Sequence, residues 1–242
     1  MNLTIDIGNT STKLHVFEQS KILFEQTYAT LQLDDIKSIC IKSNITNAIL
    51  STVNKEQIDI ETFLQKNINF IKLDTNTSIP IINKYNSPET LGKDRLAVIN
   101  GAYTIHPNNN TLVIDAGTCI TFDFINDKNE YLGGSISPGI NMRLKALNQY
   151  TKRLPLVEYK TNTPLIGNTT ESSILSGVEH GILSEVKGII DSYMQESPNL
   201  KILITGGNAN FFESLIKNEI FAVPNLVAIG LNTILNFNIK RA

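Results

Sequence analysis

The chain is poor in the residues that build disulfide scaffolds and protein-only metal clusters. Its two cysteines, Cys40 and Cys119, lie far apart with no CxxC spacing, which excludes a disulfide framework and reads as reduced, packed thiols. The three histidines, His15, His106 and His180, have no metal-ligand spacing. Neither sign of charge dominates. With a formal net charge of −2 and no basic run, there is no electrostatic footprint for nucleic acid or an anionic membrane. No apolar stretch approaches the roughly 20 residues of a membrane span, and no basic leader opens the chain. These absences predict a cytoplasmic protein with neither nucleic acid nor membrane as partner. Two nucleotide signatures are missing as well, since neither GxxxxGKS/T nor GxGxxG occurs.

What is present reads as a globular α/β protein. Apolar residues make up 41% and charged ones 18% of 242 residues, enough to bury the core of one large domain or two lobes. Period-two runs at 3–7, 13–17 and 22–28 predict three strands. A helix is expected at 33–42, a strand at 48–53, a helix at 57–66 and a strand at 69–73. A proline-containing loop at 79–88 leads to a helix expected from about 88 to 104. The turn-forming "HPNNN" at 106–110 is the best boundary and suggests lobes 1–108 and 109–242.

Beyond that boundary the beginning of the chain repeats itself. "LTIDIGNTSTKLHVF" from Leu3 aligns with "LVIDAGTCITFDFI" from Leu112. Asp6 falls on Asp115, Gly8 on Gly117 and Thr12 on Thr121, an offset of 109 residues. A third strand follows at 131–137, then helices. Strand–strand–strand–helix–strand–helix therefore occurs twice, which points to a duplicated α/β lobe with a ligand held between two acidic hairpins.

The hairpins carry phosphate chemistry. Asp6 ends a strand, where its carboxylate can help hold Mg²⁺, a hard cation that keeps waters and bridges to phosphate. Gly8 allows phosphate to approach backbone amides, Asn9, Thr10, Ser11 and Thr12 offer donors, and Lys13 offers a compact positive charge. The second hairpin repeats the acid and glycine and adds the Thr118 and Thr121 hydroxyls. "GGSISPG" at 133–139 allows close backbone approach and places Pro138 at a helix start. "ILITGGNANFF" at 202–212 is a strand, a glycine pair and a helix start, where a flat ring such as adenine could lie against backbone. "YNSPETLGKDR" at 85–95 sets Asp94 beside Arg95 near a helix start. On spacing alone that pair reads as solvated surface, and Thr169 and Thr170 read as helix caps.

In order and spacing these five motifs resemble those of the type III pantothenate kinases, members of the acetate/sugar kinase, Hsp70 and actin superfamily. The resemblance runs over nearly the whole chain, and "Y…LGKDR" is its most diagnostic block. It implies two duplicated actin-like, ribonuclease H-like lobes, with mixed sheets flanked by helices and a nucleotide cleft between them. It also implies ATP-dependent phosphorylation of pantothenate to 4'-phosphopantothenate, the first step of coenzyme A biosynthesis. Asp6, Ile7, Gly8, Asn9, Thr10, Ser11, Thr12, Lys13 and Thr118 would bind ATP, with Asp6 organising Mg²⁺ through phosphate and water. Tyr85, Gly92, Lys93, Asp94, Arg95 and Thr170 would bind pantothenate, with Asp94 accepting the hydroxyl proton. Asp115 would hold a monovalent cation, K⁺ or NH₄⁺, and the chain would form a homodimer. Cys119 departs from the small alanine usual in the family. A kinase of another small hydroxylated metabolite and a non-catalytic regulatory relative are the alternatives.

Overall fold

In the computed structural model, which describes residues 1–52, 57–215 and 220–241, the N-terminal apolar run becomes a central strand. β1 (Asn2–Ile7) is flanked by β2 (Thr12–Glu18) and β3 (Lys21–Tyr28) on one side, and by β4 (Asn47–Thr52) and β5 (Asn69–Lys72) on the other. The first three strands are antiparallel neighbours, while β1, β4 and β5 run parallel. A central strand is covered on both faces, so its side chains sort by parity. Leu3, Ile5 and Ile7 pack with Leu14, Val16, Ala48 and Leu50 in one core. Ile36 and Ile39 of α1 (Leu33–Lys42) and Ile60 and Leu64 of α2 (Ile58–Asn67) close that core.

The opposite face carries Asn2, Thr4 and Asp6, and it is roofed by two helices. Ile49 of β4 packs there with Leu96 and Ala97 of α3 (Lys93–Ile105) and with Leu231, Ile234 and Leu235 of α7 (Leu226–Ile239). The two helices approach closely because glycine stands at the crossing. A Cβ on Gly230 would fall 1.8 Å from the Ala97 carbonyl oxygen. An asparagine cluster fastens α7 to the strands: Asn2 Nδ2 donates to Asn232 Oδ1 and Asn236 Oδ1, each at 2.8 Å.

One expectation changes in this region, and another falls on a residue outside the described ones. Val53, expected to close the fourth strand, lies outside the described residues. The helix expected from residue 88 begins at Lys93, preceded by a 3₁₀ turn at Pro88–Thr90. Leu91 and Gly92 are the reason: their ψ values of 126° and 132° are extended and interrupt the helix.

By compactness the chain divides into two units. Unit 1 comprises Met1–Asn108, Ile125–Leu132 and Asn225–Ala242, and unit 2 comprises Asn109–Phe124 and Gly133–Pro224. One boundary therefore falls after residue 108, and α7 groups with the N-terminal sheet. Unit 1 also contains β6 (Ile82–Asn83), which pairs with Glu130 and Tyr131 at the start of β9 (Glu130–Pro138).

In unit 2 the strand order is β11 (Ile220–Ala222), β10 (Lys201–Thr205), β7 (Thr111–Ala116), β8 (Cys119–Ile125), then β9. α4 (Ile140–Gln149) and α5 (Thr170–Glu196) follow β9, and α6 (Ala209–Leu215) follows β10. Ile174, Val178, Ile182, Val186 and Ile190 form an every-fourth-residue stripe along α5. That stripe packs on Leu112, Ile114, Ile120 and Phe122 of the sheet. Among the described residues no helix is long and apolar enough to cross a membrane.

Candidate active site

The register of unit 1 lines up three polar side chains at the end of β1. Asp6 lies directly opposite Lys13 on β2 and opposite Ser51 on β4, so all three point to the face roofed by α3 and α7. Asp6 is half-buried. Burial above all, and then the nearby Asp94 carboxylate, push its pKa up to about 6, against the opposing pull of Lys13 and Ser51. Ser51 Oγ is buried beside this carboxylate but makes no hydrogen bond of good geometry.

The following turn is closed by Gly8 N donating to Ser11 O at 3.1 Å. Ile7 to Thr12 line one wall of a polar cavity of about 180 Å³, with Ala29, Thr30, Leu31 and Gln57 opposite. Its size and its hydroxyl and amide lining suit a phosphate group.

The start of α3 brings the second motif to Asp6. Arg95 N donates to Asp94 Oδ1 at 2.8 Å, which holds the carboxylate at the positive end of the helix. A side chain just before it would push the carboxylate aside, because a Cβ on Gly92 would lie 2.4 Å from Asp94 Oδ1. Arg95 is buried, with its guanidinium 5.4 Å from the centre of the Tyr85 ring. Tyr85 in turn stacks on the fully buried Tyr131 at 5.9 Å and 14°. Spacing alone reads the Asp94–Arg95 pair as solvated surface, and the buried arginine corrects that reading. Lys93 lines a cavity of about 380 Å³ with Asp74, Asn83, Glu89 and Leu91.

Unit 2 gathers its own motifs at the end of β7. Asp115 is opposite Thr205 of β10. Gly206, at φ +91°, passes so close that a Cβ would fall 2.5 Å from Asp115 Oδ1. Gly139 N donates to Thr118 O at 3.1 Å, and Gly117 N donates to Cys119 O at 2.9 Å. The acid–glycine hairpin, the "SPG" turn and the "TGG" turn therefore meet at one edge of unit 2. Gly139, not Pro138, stands immediately before the helix, and Pro138 closes β9. Thr169 is the cap of α5, its Oγ1 accepting from Ser172 N at 3.1 Å. Thr170 is the exposed first residue of that helix.

Two site features escape sequence reasoning. Ser51 reads as the end of an apolar strand, and Tyr131 reads as an ordinary strand residue. Neither carries a local signal, because both matter only through long-range pairing.

Among the described residues, no three His, Cys, Asp or Glu side chains gather as a metal site. A divalent cation would therefore need phosphate and water to complete its shell. A single buried aspartate facing a second carboxylate, with a polar turn alongside, fits that mode of binding.

The chain shares its fold with solved structures that include a glucokinase. A glucokinase from an Antarctic psychrotroph superposes with a TM-score of 0.54 at 12% identity, covering 98% of each chain. A Campylobacter jejuni protein assigned to a Baf family of transcriptional activators superposes at 0.63 with 24% identity, covering 98% of this chain and 99% of the other. At these identities the likeness concerns the fold alone.

Sequence similarity narrows the class. The profile of the type III pantothenate kinases matches residues 2–192. Type III pantothenate kinases from Christiangramia forsetii and Bacteroides fragilis strain YCH46 are each 43% identical to the chain. The first covers 98% of this chain and 99% of the relative, and the second covers 98% of both. The chain belongs to the type III pantothenate kinase family.

Proposed function

We infer that the chain is an ATP-dependent pantothenate kinase, forming 4'-phosphopantothenate in the first step of coenzyme A biosynthesis in the cytoplasm. Family membership supports the activity. The observation that carries the residue roles is the convergence in unit 1 of Asp6 and Lys13 with the start of α3, where Asp94 and Arg95 stand.

In this reading the turn from Ile7 to Thr12, Lys13 and Thr118 bind ATP. Asp6 holds Mg²⁺ through water and phosphate, and the cation supplies charge neutralisation when bound. Asp115 holds K⁺ or NH₄⁺. Tyr85, Gly92, Lys93, Arg95 and Thr170 bind pantothenate. Phosphoryl transfer passes through a loose transition state, so positioning and charge stabilisation carry most of the acceleration. A carboxylate is in general too weak a base to ionise an alcohol beforehand, so Asp94 has a different task. It orients the primary hydroxyl and takes its proton late, as the new bond to phosphorus forms.

A homodimer belongs to the same reading. Tyr150, Leu156, Leu165 and Ile166 of unit 2 are 82%, 60%, 73% and 83% exposed, large apolar side chains that a second copy would cover. Light scattering tests it, and a fully active monomer would refute it. The decisive assay is ADP release from ATP and Mg²⁺, with and without pantothenate, in K⁺ and in Na⁺. Pantothenate-dependent release that K⁺ enhances is expected. Absence of release in every buffer, from folded protein, would sink the kinase reading.

A further inference from the structure

We propose that Ser51 is a positioning residue of the reaction, its hydroxyl donating to the Asp6 carboxylate and fixing the orientation in which Asp6 meets the metal-bound nucleotide. The proposal rests on the role given to Asp6 above.

Ser51 carries a buried hydroxyl that packing does not require. β4 runs Ala48, Ile49, Leu50 and then Ser51, all fully buried. An alanine would fill such a position without a polar atom. A buried hydroxyl lacking a partner costs about 1–3 kcal/mol, and Ser51 Oγ has no hydrogen bond among the described residues. The register supplies the partner. Ser51 is the parallel neighbour of Asp6, on the same face, and its hydroxyl acts on that carboxylate as a donor would.

The geometry also explains why Asp6 needs a second donor. Lys13 flanks it on β2, but that ammonium is the group offered to phosphate. The Asp94 carboxylate repels Asp6 from the helix side. Ser51 approaches from β4 and cannot reach substrate, since it is 0% exposed. It thus acts only through Asp6, holding the carboxylate in one rotamer against Asp94.

Thr4 provides an internal control. Its hydroxyl is also buried and without a partner, on the same face of β1 but one step further from the phosphate turn.

The test is calorimetric binding of ATP, with Mg²⁺ and in EDTA, to the full chain and to Ser51→Ala, Ser51→Cys, Ser51→Thr, Thr4→Val and Asp6→Asn. Ser51→Ala and Ser51→Cys should weaken Mg-ATP about tenfold, as loss of a hydrogen bond to a charged acceptor does, and leave metal-free ATP within about twofold. Ser51→Thr, which keeps the hydroxyl on a β-branched frame, should restore most of the loss. Thr4→Val should leave both affinities unchanged. In steady state, kcat should fall in Ser51→Ala while KM for pantothenate holds.

Equal weakening of both ATP forms, or wild-type Mg-ATP affinity in Ser51→Cys, would overturn the proposal. The Cys variant decides even if Thr at this position fails to fold. If Asp6→Asn itself leaves Mg-ATP binding intact, the role of Asp6 falls and Ser51 falls with it. If Asp6→Asn weakens binding and Ser51→Ala does not, only Ser51 is removed from the mechanism.

Discussion

Replacing Asp6 by asparagine should make the ligand-free protein more stable at neutral pH while abolishing its use of Mg-ATP. The carboxyl is raised from 3.8 to about 6 in the fold, mainly by burial and then by Asp94. Between those two values the folded protein holds the proton more tightly than the unfolded chain does. Ionising Asp6 therefore costs stability as pH rises through that window, and the full cost persists above pH 6. At 1.36 kcal/mol per pH unit the shift corresponds to about 2–3 kcal/mol. Asparagine has nearly the same shape and never ionises, so the variant escapes this cost.

The assay is urea unfolding of wild type and Asp6→Asn in EDTA without nucleotide, from pH 4 to pH 7.5. Near pH 4 the two should be close. Above pH 6 the variant should lead by about 2–3 kcal/mol, or roughly 5–10 °C in Tm for a chain of this length. Taking the difference between two proteins cancels the other titrating groups. A pH-independent difference, or a wild type more stable than the variant at pH 7.5, would refute the reasoning. Mg-ATP should reverse the order, because the charge the empty fold disfavours is the one a bound cation neutralises.

Three further outcomes follow from the same geometry. Asp94→Asn should lower kcat by about 10²–10⁴-fold, the span of general acid–base contributions, with ATP affinity by calorimetry unchanged. Near-wild-type turnover would remove Asp94 from proton transfer. Gly92→Ala places a Cβ 2.4 Å from Asp94 Oδ1, so it should cost at least about tenfold in kcat through loss of carboxylate alignment, with a urea midpoint close to wild type. Gly230→Ala places a Cβ 1.8 Å from the Ala97 carbonyl and should force α3 and α7 apart at a cost of about 3 kcal/mol. Urea unfolding measures this, and an unchanged midpoint would mean the helices slide apart freely.

Much of the fold is legible where the rule is local. The alternation in β1 and β2, the helix at Leu33–Lys42 and the echo of the first hairpin at Asp115 follow from side-chain period and turn chemistry. The start of α3 is less legible. "SPETLGKDR" contains good helix formers on both sides of Gly92, and only the extended backbone at Leu91 and Gly92 moves the first helical residue to Lys93. The grouping of α7 with the first sheet is not legible at all. It depends on Gly101 and Gly230 meeting facing backbone, and on Asn2 reaching Asn232 and Asn236.

The same division runs through the site. Asp6, Lys13 and Asp115 can be singled out by hairpin chemistry, because their groups lie close together in sequence, whereas Asp94 is singled out only by the family resemblance. The energetic character of Asp6 cannot be read in either way, since it arises only when the start of α3 brings Asp94 near the end of β1. A solvated aspartate would be ionised at no cost and would gain little from a cation. Here the fold keeps a carboxylate half-buried against a second one, a cost in stability that, in the proposed reading, a bound cation would offset. Ser51 and Lys13 moderate that tension without removing it. In the proposed reading the site is thereby tuned towards its ligand more than towards its own stability, and the pH-resolved comparison of wild type with Asp6→Asn measures that tuning directly.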